Sequence, residues 1–198
     1  MCFTKIVELM SNNAHLKTEG LHKIINIKAS MNLGLSDVLK SEFINITPVD
    51  RPIILTKIIP EPNWLTGFVS GEGCFLIKIS KSNSHKIGYQ VWLEFSITQH
   101  ERDKKLMWLI SKYLGCGKIY KDSRPRSPVC YFRIIKFKDI QNKLIPFFEK
   151  YPLIGVKQLD YLDWCKVAIL MSKDSHLTLE GLEQICNLKC GMNKGRKN

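Results

Sequence analysis

The apolar positions of this chain change period several times, and each change marks an element. Trp64, Leu65, Phe68 and Val69 fall at helical spacing, with Asn63 placed to cap a helix over Trp64 to Glu72 and with Gly71 and Gly73 placed to end it. Strict alternation follows. Phe75, Ile77 and Ile79 face one way and Cys74, Leu76, Lys78 and Ser80 the other, the pattern of a half-buried strand. Val91, Leu93, Phe95 and Ile97 repeat it against Gln90, Trp92, Glu94, Ser96 and Thr98, so the polar, basic "KSNSHKIG" (81–88) between the two runs predicts a hairpin. Residues 101–115 read as an amphipathic helix stopped by Gly115. "KIYKD" and "VCYFRIIKF" then predict a second hairpin across "SRPRSP" (123–128), with Ile119, Cys130, Phe132 and Ile134 inward and Lys118, Tyr120, Tyr131 and Arg133 outward. Residues 138–149, about 157–172 and about 178–190 read as helices. The order is αββαββα, an α+β fold in which a four-stranded antiparallel sheet packs one face on helices.

The chain also repeats itself. "KIVELMSNNAHLKTEGLHKIINIKASMNLG" (5–34) and "KVAILMSKDSHLTLEGLEQICNLKCGMNKG" (166–195) align without a gap, with 15 of 30 positions identical, where average composition gives about two. The offset of 161 residues, Lys166 against Lys5, is the period of a duplicated domain. Residues 63–198 therefore read as one whole unit and residues 1–34 as the C-terminal tail of a first one. Residues 35–62 read as linker, extended around Pro48, Pro52, Pro60 and Pro62.

Thirty Lys and Arg against 18 Asp and Glu give a formal charge of +12, which suits a phosphate-rich partner. The seven cysteines stand singly, with no Cys-x-x-Cys pair and no His at zinc spacing, and read as reduced, buried thiols. No window reaches the eighteen or so apolar residues of a membrane span, and the N-terminus has no continuous apolar signal core. The expectation is a soluble, non-secreted protein with no membrane partner.

Charge changes how the outward sheet face is read. Lys, Ser, Gln, Thr, Arg, Tyr and Trp side chains are too polar for a core, and strands can lie in a nucleic-acid groove, Arg and Lys suiting guanine edges and Gln adenine. The candidates for DNA contact are Lys78, Ser80, Gln90, Trp92, Glu94, Ser96, Thr98, Lys118, Tyr120, Tyr131 and Arg133 on the strands, with Lys81, Ser82, Asn83, Lys86, Asp122 and Arg124 at the loop ends. The bland alternative is a solvated antiparallel face. On the first helix, Gly67, Ser70 and Gly71 form a smooth stripe that, with Trp64 and Phe68, suits close approach by another helix. His15, His100 and His176 read as capping or packing residues.

With that helix, that order of elements and that duplication, the chain resembles the LAGLIDADG homing endonucleases, in the subgroup with two motifs in one chain. "LTGFVSGEG" (65–73) lies on the family signature, with Gly67, Glu72 and Gly73 matching and Ser70 standing where the signature has its first aspartate. Phe75, "FSITQ" ending at Gln99, "YLGCGKIY", "IPFF", "VKQLDY" and the repeated tail are similar as well. The resemblance implies that two signature helices pair through their glycine stripes and that the acid ending each projects toward DNA. Glu72, helped by the main-chain carbonyl near Gly71, would hold a divalent cation, Mg2+ fitting one or two carboxylates plus phosphate oxygens. It also implies a basic role near the site for Lys157 and a solvent-ordering one for Gln99. By themselves, Lys157 is a first-turn helix lysine, Gln99 a polar strand end and Glu72 a helix-terminal acid facing the unfavourable end of the dipole.

A double-strand cut needs two such acids, and this sequence offers one motif. Glu8 and Glu19 lie in the repeated tail opposite Ile169 and Glu180, so neither supplies the second. The implied partners are double-stranded DNA and a second LAGLIDADG half, either another copy of this chain or a separate N-terminal half. The leading expectation is a site-specific, metal-dependent DNA endonuclease or its C-terminal half. The alternative is a non-cleaving binding protein, an intron maturase on intron RNA or a decayed endonuclease. A basic scaffold protein of an organellar ribosome would predict neither the repeat nor the acid. A mitochondrial location follows from the resemblance alone.

Overall fold

The computed structural model describes residues 2–31, 34–50, 58–124 and 127–196, and the chain divides into two compact units, Met1–Leu55 and Thr56–Asn198. Pro52 of the expected linker, Pro125 and Arg126 of the second hairpin turn, and Asn32 and Leu33 of the first repeat copy lie outside the described residues.

The first unit holds α1 (Cys2–Ser11), a 3-10 turn at Ala14–Leu16, α2 (Thr18–Ala29) and α3 (Asp37–Glu42). Helix α3 falls inside the segment whose composition suggested linker, started by Ser36, whose Oγ accepts the Leu39 N–H. Extended chain then runs along α2: the Thr47 N–H donates to Asn26 Oδ1 (3.2 Å), the Val49 N–H to the Asn26 carbonyl (3.4 Å), and Ser30 Oγ to the Val49 carbonyl (2.5 Å).

The second unit opens with α4 (Pro62–Glu72), β1 (Gly73–Lys81) and β2 (Tyr89–His100). Helix α4 starts two residues before Trp64, with Glu61 rather than Asn63 at the cap, because Pro62 sits at its first position, where the ring fixes a helical φ and no N–H is needed. A 3-10 turn at Glu101–Asp103, capped by His100 Nδ1, leads into α5 (Lys104–Leu114). Gly115, at φ +64°, ends α5 in the left-handed conformation.

Next come β3 (Lys118–Lys121) and β4 (Val129–Ile134). The alternation predicted β4 to run on to Phe137, but Ile135 breaks the pattern, 40% exposed, and Phe137 starts α6 (Phe137–Asp139). A π-helical stretch (Ile140–Leu144) joins α6 to α7 (Ile145–Lys150), and α8 (Val156–Ser172) and α9 (Leu179–Cys190) follow.

The sheet has the order β1-β2-β4-β3 and is antiparallel throughout. Its inward side chains are those the alternation picks out: Phe75, Leu93, Phe95, Ile97, Cys130, Phe132 and Ile134 are at most 1% exposed. Phe75 is the hub, its ring centroid 5.1 Å from that of Phe95, 5.3 Å from Trp164 and 5.8 Å from Phe148. Burial of four such rings accounts for much of the unit's cohesion, at about 1.5–3 kcal/mol for each large apolar side chain.

The cysteines are all free, but only Cys116 and Cys130 are buried and Cys190 is exposed. Among the described residues no helix is long and apolar enough to cross a membrane.

The repeat is also a repeat of conformation. Asn13 (φ 55°) and Asp174 (φ 56°) both adopt the left-handed region, and each precedes a 3-10 turn and then a helix, α2 or α9. Gly20 and Gly181 sit where a Cβ would collide with the carbonyl oxygen of Ala14 or Ser175, so both copies need glycine there.

Candidate functional site

Helix α4 is two-sided. Leu65, Thr66 and Val69 are buried in its own unit, and Thr66 Oγ1 donates to the carbonyls of Pro62 and Tyr151. The other side presents Trp64, Gly67, Phe68 and Gly71. A Cβ at Gly67 or Gly71 would meet nothing within 4 Å, and the Trp64 and Phe68 rings stack on each other at 5.3 Å and 8°. Ser70 turns its hydroxyl back to the Thr66 carbonyl at 2.9 Å, so the stripe stays smooth.

Glu72 ends α4, exposed, and among the described residues its carboxylate has no hydrogen bond or ion pair. The junction that follows is tight. The Gly73 N–H closes the helix on the Val69 carbonyl, and a Cβ at Gly73 would lie 2.6 Å from Val69 Cγ1 and 2.7 Å from the Val69 oxygen. Glycine there lets the chain pass from helix to strand within one residue and fixes where Glu72 projects.

The β1–β2 register pairs Gly73 with Ile97, which brings half-buried Gln99, two residues further along β2, to the same end of the sheet as Glu72. Lys157, half-buried, is the second residue of α8. Its charge is felt at Cys74: burial pushes that thiol up, Lys157 and Lys78 oppose the shift, and Asp160 and Glu94 reinforce it. Lys157 and Glu94 therefore stand around the first outward position after Glu72.

The outward face is ordered in rows. Cys74, Ser96, Arg133 and Lys118 face one another across the four strands, Thr98, Tyr131 and Tyr120 form the next row, and Lys78–Trp92 and Ser80–Gln90 pair along the first hairpin. Two of the expected contact residues are part of the floor. Glu94 and Ser96 are each 7% exposed, and Glu94 Oε1 lies 3.4 Å from Arg133 Nε. The Arg133 guanidinium sits over the Tyr131 ring at 4.7 Å and beside that of Tyr120 at 5.6 Å.

Asp122 is likewise tied up. Its carboxylate accepts from the Arg124 main chain (3.1 Å) and guanidinium (2.9 Å to Nε), from Ser127 Oγ (2.8 Å) and from Tyr131 OH (3.3 Å). The Arg124 bonds foremost hold that carboxyl well below the usual carboxylate range. Asp122 thus knots the second hairpin loop while Arg124 remains outside. In the first loop Lys81, Asn83 and Lys86 are exposed, and Ser82 Oγ bonds His85 Nδ1 at 2.8 Å.

Sequence reasoning missed a clamp on the β1 edge. Asn193 Nδ2 donates to the Phe75 carbonyl (3.1 Å), its Oδ1 takes the Cys74 thiol (3.7 Å), and its N–H donates to Asp160 Oδ1 (3.0 Å), which also accepts from Arg196 Nε (3.0 Å). The available signal was the Met-Asn pair kept in both repeat copies, Met31-Asn32 and Met192-Asn193.

Among the described residues no group of three His, Cys, Asp or Glu is placed to hold a metal ion. What the unit offers a cation is one free carboxylate at a helix end with exposed main chain beside it. An unpartnered acid at the negative end of a helix dipole is an arrangement a cation would relieve.

A glycine-striped helix thus delivers one free acid to the end of an antiparallel sheet whose outward face is polar and basic, all within one αββαββα unit. The family model described as LAGLIDADG endonuclease matches residues 65–168. The chain belongs to the LAGLIDADG endonuclease family.

Over 92% of its length it is 52% identical to a probable intron-encoded endonuclease 3 of Neurospora crassa, covering 34% of that protein. A probable intron-encoded endonuclease 2 of the same fungus is 40% identical over 94% of this chain, with 42% of that protein covered. The crystal structure of the I-SmaMI LAGLIDADG homing endonuclease bound to cleaved DNA superposes with a TM-score of 0.95 at 52% identity, over 99% of this chain and 65% of that one. I-SmaMI has also been solved on uncleaved target in the presence of calcium ions. The chain thus spans between a third and two thirds of the length of these three proteins.

Proposed function

We propose that this chain is the C-terminal half of a site-specific homing endonuclease, which hydrolyses phosphodiester bonds in a long double-stranded DNA target with a divalent cation, Mg2+ foremost. The observation that carries this reading is the Glu72 carboxylate, free and exposed where the glycine-striped helix meets the sheet. Glu72 and the Gly71 carbonyl would hold the cation, which when bound supplies charge stabilisation at the attacked phosphate and an activated water. Gln99 orders solvent at that end of the sheet and Lys157 contributes positive charge. The arginine, lysines and tyrosines of the outward rows hold the duplex, with Glu94, Ser96 and Asp122 setting their positions from beneath.

The second acid comes from another LAGLIDADG half docked on Trp64, Gly67, Phe68, Ser70 and Gly71, either an N-terminal half or a second copy. Support lies in the open side of α4, where two glycines and a stacked aromatic pair await close packing. Residues 1–34 are the tail of that first half, a reading supported by the left-handed Asn13 and Asp174 and by the crowded Gly20 and Gly181. Relatives whose names place them in ND4 and cox1 introns support an organellar, mitochondrial setting.

Cleavage of a randomised duplex library in Mg2+, by the wild type and by Glu72→Gln, tests the proposal. Cutting that the variant loses while it keeps binding is the expected result, and a variant that cuts as well as wild type refutes it. One observation favours a second reading, binding without cleavage on DNA or intron RNA: the signature stretch, and with it the acid that ends it, occurs once in the 198 residues, at 65–73. Binding by wild type without cutting, even with a second half supplied, is the result that would establish it.

A further inference from the structure

The sheet carries one concave feature that its rows do not account for. A cleft of about 470 Å³ opens where β3 starts and β4 ends, lined by Lys118 and Tyr120 of β3, Arg133 of β4, and Ile135, Lys136 and Asp139 beyond it. Strand β3 is the sheet edge. Gly117, at φ +86°, leads into it, and a Cβ there would strike the Phe132 ring. Glycine therefore lets β3 close up on β4 and sets Lys118 directly across from Arg133. Lys136 comes two positions after Ile134, the last residue of β4, and no row of the sheet contains it.

The cleft is cationic. The exposed Lys118 and Lys136 side chains have no hydrogen bond or ion pair among the described residues. Arg133 turns its Nε to Glu94 at 3.4 Å, and its terminal nitrogens make no hydrogen bond among those residues. Asp139, the one acid among the lining residues, is matched by Lys143 at 3.2 Å, whose Nζ also donates to the Gly115 carbonyl at 2.6 Å. Three cations thus face a space whose acid is already neutralised, and such a space takes an anion. Lysine ammoniums are compact point charges suited to phosphate, whereas the braced, planar guanidinium of Arg133 suits a base edge. Ile135, exposed where the β4 alternation breaks, supplies an apolar wall on which a deoxyribose can rest.

We propose that this cleft seats one backbone phosphate of the bound duplex between Lys118 and Lys136, and that the seat sets the register in which Arg133 meets a base. The subsite rests on the endonuclease reading and gives it a fixed point at the β3 edge. Phosphate contacts position a protein on a duplex and carry no sequence information of their own, so an anchor beside a base reader decides which base pair is read. The volume exceeds that of one phosphate, and the remainder takes the adjoining sugar and bridging water.

The test uses the full chain and a duplex that the wild type selects from a randomised library, with binding measured over a range of salt concentrations. Lys118→Ala and Lys136→Ala are each expected to weaken binding about eightfold at 0.1 M salt and to lessen the slope of log K against log salt by about 0.9. Lys138→Ala, exposed and close by but outside the cleft, should change neither. Single methylphosphonate linkages, each removing one backbone charge, are then scanned along the duplex. One linkage, next to the base pair whose preference Arg133→Ala relaxes, should weaken the wild type and leave Lys136→Ala unaffected. Wild-type binding and salt response in Lys136→Ala, an equal loss in Lys138→Ala, or a sensitive linkage far from that base pair overturns the seat and leaves the endonuclease reading standing. A wild type that selects no duplex overturns both. Saturable NMR shifts at Lys118 and Lys136 with inorganic diphosphate, without duplex binding, would assign the cleft to a free phosphate ligand instead.

Discussion

The carboxylate of Glu94 lies 3.4 Å from Nε of Arg133, beneath a guanidinium braced by Tyr131 and Tyr120. Glu94 is 7% exposed, so it acts on the outward face through Arg133 and not by itself. An arginine held this way presents its two terminal nitrogens at a fixed angle, the geometry that bidentate readout of a guanine edge requires.

Arg133→Ala is therefore expected to lower DNA affinity and to relax base preference over a restricted part of the site, by about 1–3 kcal/mol at the base pair it reads. Glu94→Gln keeps the shape but removes the charge, and it should blur the same positions with a smaller loss of affinity. Selection from a randomised library with each protein measures both. Unchanged preference in Arg133→Ala would show that the arginine serves only the sheet.

Glycines in and just after α4 should respond in opposite ways. Gly73→Ala forces a Cβ against Val69 and is expected to cost about 1–3 kcal/mol of stability. Gly67→Ala adds a methyl to open space in a helix interior and should stabilise the isolated chain by about 0.5–1 kcal/mol. The same Gly67→Ala change should weaken pairing with a second half, because the methyl occupies the stripe along which another backbone approaches. Urea denaturation and sedimentation velocity separate the two effects.

Salt sensitivity provides a third check. Lys81→Ala and Lys86→Ala in the first hairpin loop should each reduce affinity about equally for all sequences and lessen the slope of log K against log salt by about 0.9. A change in sequence preference instead would move those lysines from phosphate to base contact.

His176 makes stability depend on pH. Burial pushes its imidazole pKa down, with Asp174 opposing and His85 adding to the shift. The folded state therefore keeps the ring neutral where the unfolded chain takes a proton. That stability is fully present above about pH 6.5, the unfolded value, and is lost as the pH falls from there toward the lower folded value. The urea midpoint should drop between pH 7.5 and 5.5, and by less in His176→Gln. An equal drop in both proteins would clear His176 of the effect.

Much of the sheet was legible because one face rests on helices, and that arrangement enforces a period of two: Phe75, Leu93, Phe95 and Phe132 are inward as their spacing requires. The same alternation misjudged Glu94 and Ser96. Whether an outward side chain is covered depends on the neighbouring strand, and Arg133 and Tyr131 reach over from β4. The start of α4 was read from a capping asparagine, although the stronger signal was the fixed φ of Pro62 one residue earlier. Asn193 was visible as a repeated letter but not as a clamp, since its partner, the Phe75 carbonyl, is 118 residues away. Spacing rules reach a few residues along an element, and this contact joins a tail to a strand edge across the whole unit.

The stacked rings of Trp64 and Phe68 have a practical consequence for anyone producing the protein. Produced without a mate, the chain offers water a flat aromatic plate beside two bare glycines, a surface prone to aggregation. Yield in cells should track the supply of the complementary half more closely than temperature or induction strength.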